Sequence, residues 1–333
     1  MNPISLVTGG AGFIGSHVAQ YLLNQGHQVI VLDDLSGGMK SNVPSLAKFV
    51  QGSITNTELI NQLFEEYNFD FVYHLAAYAA EGLSPYIRKF NYENNLIGSI
   101  NLINASVNHN VKCFVFTSSI AVYGSKTPPF TESMAPQPED SYGIAKYAVE
   151  LDLKDAKERF GLNYVIFRPH NVYGVNQNLN DKFRNVVGIF MRQIILGEPL
   201  TIFGDGFQKR AFTSIHDVAP AIAMSVNKSE ALNQVFNIGS DVTCSVNDLA
   251  QIVWNALNGN KKVLEIKYLE ERKEVVNAIA DHSKFKTVFG QETTIPLIDG
   301  INEMANWAKT INLKPMADIK NIEIIKNLPE SWK

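Results

Sequence analysis

The sequence is poor in cysteine: Cys113 and Cys244 are the two present in 333 residues. Two thiols make neither a disulfide framework nor a cysteine metal site, and Cys113, in a strand-like run, is expected to be a buried thiol. The seven histidines do not cluster at ligand spacings, so no metal is expected. No apolar run approaches the roughly 20 residues that span a bilayer. Ile4 enters a strand-like run at once without an apolar leader, so no membrane partner and a cytoplasmic location are expected. Positive charge is also scarce: 29 Lys and Arg face 33 Asp and Glu, for a net charge of −4. That balance offers nothing to attract nucleic acid, and any phosphorylated ligand must be met by local basic residues. Internal repeats and low-complexity tracts are missing too. What the chain has is a 45% hydrophobic content, enough for one large or two modest domains.

Residues 4–34 carry the most informative pattern. Ile4-Ser5-Leu6-Val7 has the composition of a buried strand, and glycines follow at 9, 10, 12 and 15. Ile14, Val18, Tyr21 and Leu22 then form one apolar helical face, Gly26 ends it, and Val29 to Leu32 is a second strand closed by Asp33. Glycines at a strand-to-helix turn admit a pyrophosphate to the helix N-terminus. A carboxylate about 20 residues on accepts bonds from a ribose 2′-hydroxyl and repels a 2′-phosphate. Strand, glycines, helix, strand and acid in that order predict a dinucleotide site, with NAD preferred over NADP.

The alternation continues. Strands are predicted near 49–50, 71–75, 113–116 and 164–167, and helices at 57–67, 91–108 and 141–160. Repeated β-α-β crossovers predict an α/β fold, a doubly wound parallel sheet of Rossmann type. Beyond Pro169 the pattern loosens, with apolar helices at 186–196 and 248–257 and a strand end at 236–239. Residues 1–170 are therefore assigned to a dinucleotide-binding domain, with returns from about 212–240. Residues 171–333 mainly form a smaller substrate-binding lobe.

Tyr142 and Lys146 are spaced i, i+4 and share one helix face. A tyrosine phenol titrates near 10, too high for a base at neutral pH, and a neighbouring ammonium favours the phenolate. Ser118 and Ser119 end the fifth strand, on the rim where parallel sheets bind ligands, and a hydroxyl there can bond a substrate oxygen.

These residues carry a family resemblance. TGGAGFIGSH (8–17), VLDDL (31–35), HLAA (74–77), FTSSIAVYG (116–124), YGIAK (142–146), FRPHNVYG (167–174) and FGDGFQKRAFTSIHDVA (203–219) resemble an extended short-chain dehydrogenase/reductase of the nucleotide-sugar epimerase/dehydratase group, most like the UDP-glucose 4-epimerase type. The resemblance implies a triad of Ser119, Tyr142 and Lys146, with Ser118 beside it. It implies NAD held by Gly9, Gly12, Phe13, Ile14 and Gly15 at the turn, and by Asp33, Asp34, Ser36, Ser53 and Ile54 toward the adenosine. Leu75, Ala76, Ala77, Asn95, Thr117, Tyr142, Lys146 and Pro169 complete that set. Asn171, Arg210 and Arg272 fall where the family binds the substrate's nucleotide diphosphate.

Departures from the pattern narrow the chemistry. The family's 4,6-dehydratases carry Asp-Glu after the serine and its decarboxylases a Glu, whereas Ser119-Ile120-Ala121-Val122-Tyr123 has no acid. Ser53, Ala79 and Ala211 also replace common family residues, and Asn176-Gln177 lacks the arginine expected of a glucuronate 4-epimerase. The resemblance thus implies 4-epimerisation of a UDP-sugar through a transient keto sugar. Uronate or 3,5-epimerisation, an oxidoreductase releasing a keto sugar, and a silent NAD-binding regulator stand as alternatives. Ala278 matches a family position beside the sugar's C2 substituent, where a methyl group leaves room for an N-acetyl group. Family members pair through two helices per subunit, here 91–108 and 141–160, so a homodimer is expected. Ala145, Ala148, Val149, Leu151 and Leu153 are the expected surplus of apolar surface.

Overall fold

The computed structural model describes residues 2–181, 185–259, 263–271, 277–290, 295–314 and 322–329. Seven strands form the central sheet: β1 (Ile4–Thr8), β2 (Gln28–Asp33), β3 (Lys48–Gln51), β4 (Phe71–His74), β5 (Cys113–Thr117), β6 (Tyr164–Pro169) and β7 (Gln234–Ile238). Their spatial order is β7-β6-β5-β4-β1-β2-β3, and every pairing is parallel. The strands read as unbroken apolar runs because both faces are covered. Successive residues point to opposite faces. Leu6 and Phe114 pack with Ile60, Phe64, Val149 and Leu153 on one side, while Val7 and Val115 pack with Val18, Leu22 and Ile222 on the other.

The helix Ser141–Phe160 begins under an Asp140 cap and ends at Gly161, whose φ of 81° suits glycine. The expected helix over 91–108 starts three residues earlier. It runs as Arg88–Tyr92, a π turn over Glu93–Ile97, and Gly98–Asn108. Within that turn Asn95 binds both backbone groups of Tyr78, accepting its N–H at 2.8 Å and donating to its carbonyl at 3.1 Å.

The helix face expected to remain apolar and uncovered is corrected by the structure at three of its five residues. Ala145, Val149 and Leu153 are fully buried, because that stripe at four-residue spacing lies on the chain's own sheet. Leu151 is exposed as expected, at 48%, and so are Ile144 at 41% and, on the neighbouring run, Ile97 at 52%.

A second cluster of helices, Val186–Leu196, Val246–Asn258 and Leu297–Ala308, packs around Phe190, Leu249 and Met304 beside a short parallel pair, Leu200–Phe203 with Ile266–Leu269. Among the described residues no helix is long and apolar enough to cross a membrane.

Candidate active site

At the C-terminal ends of the sheet strands lies a cavity of about 350 Å³. Ligands of open parallel sheets bind in this crevice. One end is the glycine turn. Gly9 has φ 69°, and a Cβ there would stand 2.7 Å from the Ala76 nitrogen; a Cβ on Gly15 would run into the Gly9 carbonyl oxygen. The helix Phe13–Asn24 starts at Gly12 with no side-chain cap and no acid in its first turn. Gly12, Phe13, Ile14 and Gly15 line the cavity, so the start of this helix, uncapped by any side chain of its own, opens on it. This donor set, and a cradle that side chains would fill, fit a dinucleotide pyrophosphate.

Asp33 lines the same end. Its Oδ2 accepts the Ala11 N–H at 3.0 Å and its Oδ1 the Leu35 N–H at 2.8 Å. Burial raises its pKa while those two bonds act the other way. Asp33 thus also ties β2 to the glycine turn, a part that spacing alone did not reveal. Asp34 accepts the Ser36 N–H at 2.8 Å, and Asp34, Ser36, Ser53 and Ile54 line this end too.

At the other end Tyr142 and Lys146 line the cavity from the start of their helix. Asp140 Oδ1 accepts the N–H groups of Tyr142 and Gly143 at 2.8 and 2.9 Å, which sets where that helix begins. Lys146 is buried, and its Nζ donates to the Thr117 carbonyl at 2.8 Å. The ammonium stands 5.8 Å from the centre of the Tyr142 ring and 4.7 Å from that of Phe116. Burial pulls Lys146 down to about 7, against the opposing pull of the Glu150 carboxylate.

The two serines have different settings. Ser119 Oγ accepts the Ala121 N–H at 3.1 Å. Ser118 donates its hydroxyl to Glu150 Oε1 at 2.6 Å, so its proton is committed behind the cavity wall. Glu150 there meets Arg168, which bonds both carboxylate oxygens and donates to Tyr123 Oη at 2.7 Å. Arg168 is held above its ordinary pKa by these bonds although burial opposes its charge. Sequence reasoning missed this network. The i, i+4 spacing of Lys146 and Glu150, with an arginine closing β6, was its one local signal.

Leu75, Ala76, Ala77, Thr117, Pro169 and Asn171 also line the cavity. Asn95 does not: it stands behind Tyr78, and its neighbour Asn94 faces the space. Asn171, at φ 43°, donates to the Ala211 carbonyl at 3.0 Å. Arg210 lies outside the lining, on the strand Lys209–Ala211, opposite Cys244 on one side and Ala278 on the other. Arg272 lies outside the described residues. The histidines flanking the site are hydrogen-bonded: His74 to Thr8 and Ser99 at 2.7 and 2.8 Å, His170 to His282 at 3.0 Å, and His216 to Glu303 at 3.0 Å. Cys113 is buried and its thiol is pushed up to about 12.

Sheet order, glycine turn and cavity together define a dinucleotide-dependent enzyme. The model of the NAD dependent epimerase/dehydratase family matches residues 5–239, and the chain belongs to that family. Its cofactor is NAD, and it is an NAD-dependent nucleotide-sugar epimerase. A putative UDP-glucose 4-epimerase of Methanocaldococcus jannaschii is 34% identical over 312 residues, 92% of this chain and 99% of the relative. The crystal structure of the Thermotoga maritima UDP-glucose 4-epimerase with UDP-glucose superimposes with a TM-score of 0.86 at 35% identity, covering 92% of this chain and 98% of the other. A UDP-N-acetylglucosamine 4-epimerase from Methanobrevibacter ruminantium, in complex with UDP-N-acetylmuramic acid, gives 0.85 at 29% identity, covering 92% and 97%.

Proposed function

We propose that this enzyme inverts C4 of a UDP-sugar. The observation that carries the proposal is the placement of Tyr142 and Lys146 in one cavity with the glycine turn, beside a serine followed by no acid. Bound along Gly9 to Asp33, NAD supplies the hydride acceptor and donor for the sugar carbon. Tyr142 Oη takes the proton of the sugar 4-hydroxyl and later returns it to the same oxygen, so the proton balance closes within each cycle. The Lys146 ammonium favours the phenolate, and the Glu150 carboxylate one turn along supports that charge inside a buried site. Ser119 Oγ donates to the sugar oxygen while accepting the Ala121 N–H. Ser118, with its hydroxyl turned to Glu150, orients the network beneath Lys146. The turn Ile120–Tyr123 offers no carboxyl group to shuttle a proton for elimination or decarboxylation.

In this proposal Asn171, Arg210 and Arg272 take the diphosphate, and Ala278 leaves room at C2. The Methanobrevibacter enzyme, named for an N-acetylated sugar, supports that room. We also propose a homodimer through the helical runs bearing Ile97, Ile144 and Leu151, and a cytoplasmic location.

The test is to incubate the purified enzyme with UDP-glucose, UDP-galactose, UDP-glucuronate and UDP-GlcNAc, following sugar composition and NADH absorbance. Interconversion of 4-epimers without accumulating NADH is expected. Stoichiometric NADH with a keto sugar would assign an oxidoreductase instead, and no change with any sugar would leave a silent NAD-binding protein. Turnover of UDP-GlcNAc at least equal to that of UDP-glucose, reversed in Ala278→Tyr, is the expected signature at C2. An unchanged ratio in that variant would remove Ala278 from the pocket.

A further inference from the structure

The helical run over residues 88–108 begins after Ile87, whose side chain caps nothing. An apolar side chain cannot accept the first amides of a helix, so they need a partner from elsewhere. Glu323 is that partner: its Oε2 accepts the Lys89 N–H at 2.7 Å and its Oε1 the Phe90 N–H at 2.8 Å. A carboxylate is also the favourable charge at this end of a helix. The contact is not isolated. The N–H groups of Glu323 and Ile324 donate to the Tyr86 carbonyl at 2.8 and 3.2 Å, and Tyr86 Oη donates to the Asn327 carbonyl at 2.8 Å. Ile322 packs beside Leu83, Ile87 and Phe90.

The stretch that receives these contacts borders the active cavity with its other side. Phe90 lines the cavity together with Tyr78, their rings edge to face with centres 5.1 Å apart. Ser84 accepts the Tyr142 N–H at 3.1 Å, and Asn91 donates to the Ser141 carbonyl at 2.8 Å. Residues 322–329 therefore press on the outer side of the wall whose inner side is Phe90 and Tyr78.

We infer that Glu323 is a positioning residue for this wall: by fixing the start of the 88–108 run it sets where Phe90 and Tyr78 stand, and so the affinity for the nucleotide sugar. The inference rests on the proposal that the cavity takes such a substrate. The glycine turn and Asp33 lie on other elements, so cofactor affinity is expected to change less than KM in Glu323 variants. Tyr142 keeps its Asp140 cap beside the bond from Ser84, so the chemical step is expected to change far less than KM.

The experiment uses the full-length NAD-loaded enzyme as wild type, Glu323→Ala and Glu323→Gln, with a chain ending at residue 321 as a further variant. It measures KM and kcat for the UDP-sugar that wild type turns over best, NAD affinity, and hydrogen exchange at the amides of residues 89 and 90. Losing a carboxylate that accepts from two amides is expected to raise KM about fivefold in Glu323→Ala, with kcat held within about twofold. Exchange at both amides accelerates, NAD affinity changes less than KM, and Glu323→Gln, which keeps one acceptor oxygen, falls between. An unchanged KM with faster exchange overturns the inference, because the contact would then only brace the helix. Unchanged exchange overturns it as well. If the truncated chain does not fold, the point variants decide. If wild type turns over no UDP-sugar, the parent proposal fails and this one with it. Wild-type turnover with an unshifted KM in Glu323→Ala sinks this inference alone.

Discussion

Lys146 is the residue at which burial and function meet. Its folded pKa of about 7 lies below the ordinary lysine value of 10.5, so between those limits the unfolded chain binds more protons than the folded one. Stability from this group therefore rises as pH climbs from 7 toward 10.5 and is lost as pH falls back to 7. Cofactor-free wild type is expected to gain denaturant resistance between pH 7 and 9 relative to Lys146→Met. Parallel curves for the two proteins would show that Lys146 is hydrated. His74 and His170, each lowered to about 3 by burial, work in the acid range. Both stay neutral in the fold while the unfolded chain takes up protons below 6.5, so stability is lost progressively from pH 6.5 toward 3. Tyr142→Phe keeps the ring and removes the titrating hydroxyl. Turnover should fall by a factor of about 10² to 10⁴, the usual contribution of a positioned base, with NAD binding retained. More than about a tenth of wild-type turnover remaining would remove Tyr142 from the role of base. Asp33 should hold NAD far tighter than NADP, because its carboxylate fills and repels the place of a 2′-phosphate; equal affinities in a titration of cofactor-free protein would exclude that role.

Between elements, the pair Glu150–Arg168 joins the helix Ser141–Phe160 to β6 with both side chains essentially sealed from water. Removing one member strands the other charge, which typically costs about 3–5 kcal/mol. Glu150→Ala is thus expected to unfold several degrees below wild type and to disturb Ser118 with it. A melting temperature unchanged by the substitution would mean that Arg168 finds water or another acceptor. The helix itself was legible, because Asp140 and Gly161 punctuate it and its periodicity is local. So were the glycine turn and Asp33, which follow one another within thirty residues. The π turn at Glu93–Ile97 was not, since the shift in hydrogen bonding leaves composition and apolar spacing almost unaltered. Nor was the split between Ser118 and Ser119: adjacent hydroxyls at a strand end look equivalent until Glu150 claims one of them. His282 and Glu323 meet partners more than a hundred residues away, where no local pattern reaches.

For the molecule as a whole, the exposed Ile97, Ile144 and Leu151 give the proposed dimer a place to form. Leu151→Glu, a change on the solvent side of its helix, should yield a monomer by sedimentation while wild type sediments as a dimer at micromolar concentration. Wild type sedimenting as a monomer would end that proposal. The central sheet has a different kind of consequence, one measured in time. The edge of β6 is covered by β7, about 70 residues further along the chain. At ordinary rates of synthesis β6 waits roughly 3–14 s before its neighbour exists. A bare parallel edge invites pairing with other chains, so a nascent chain passes through a sticky interval that the finished enzyme never shows. A fragment ending at residue 181 would make that interval permanent. Aggregation of the fragment, relieved by extending it through residue 240, would reveal the last strand as the guard of the sheet.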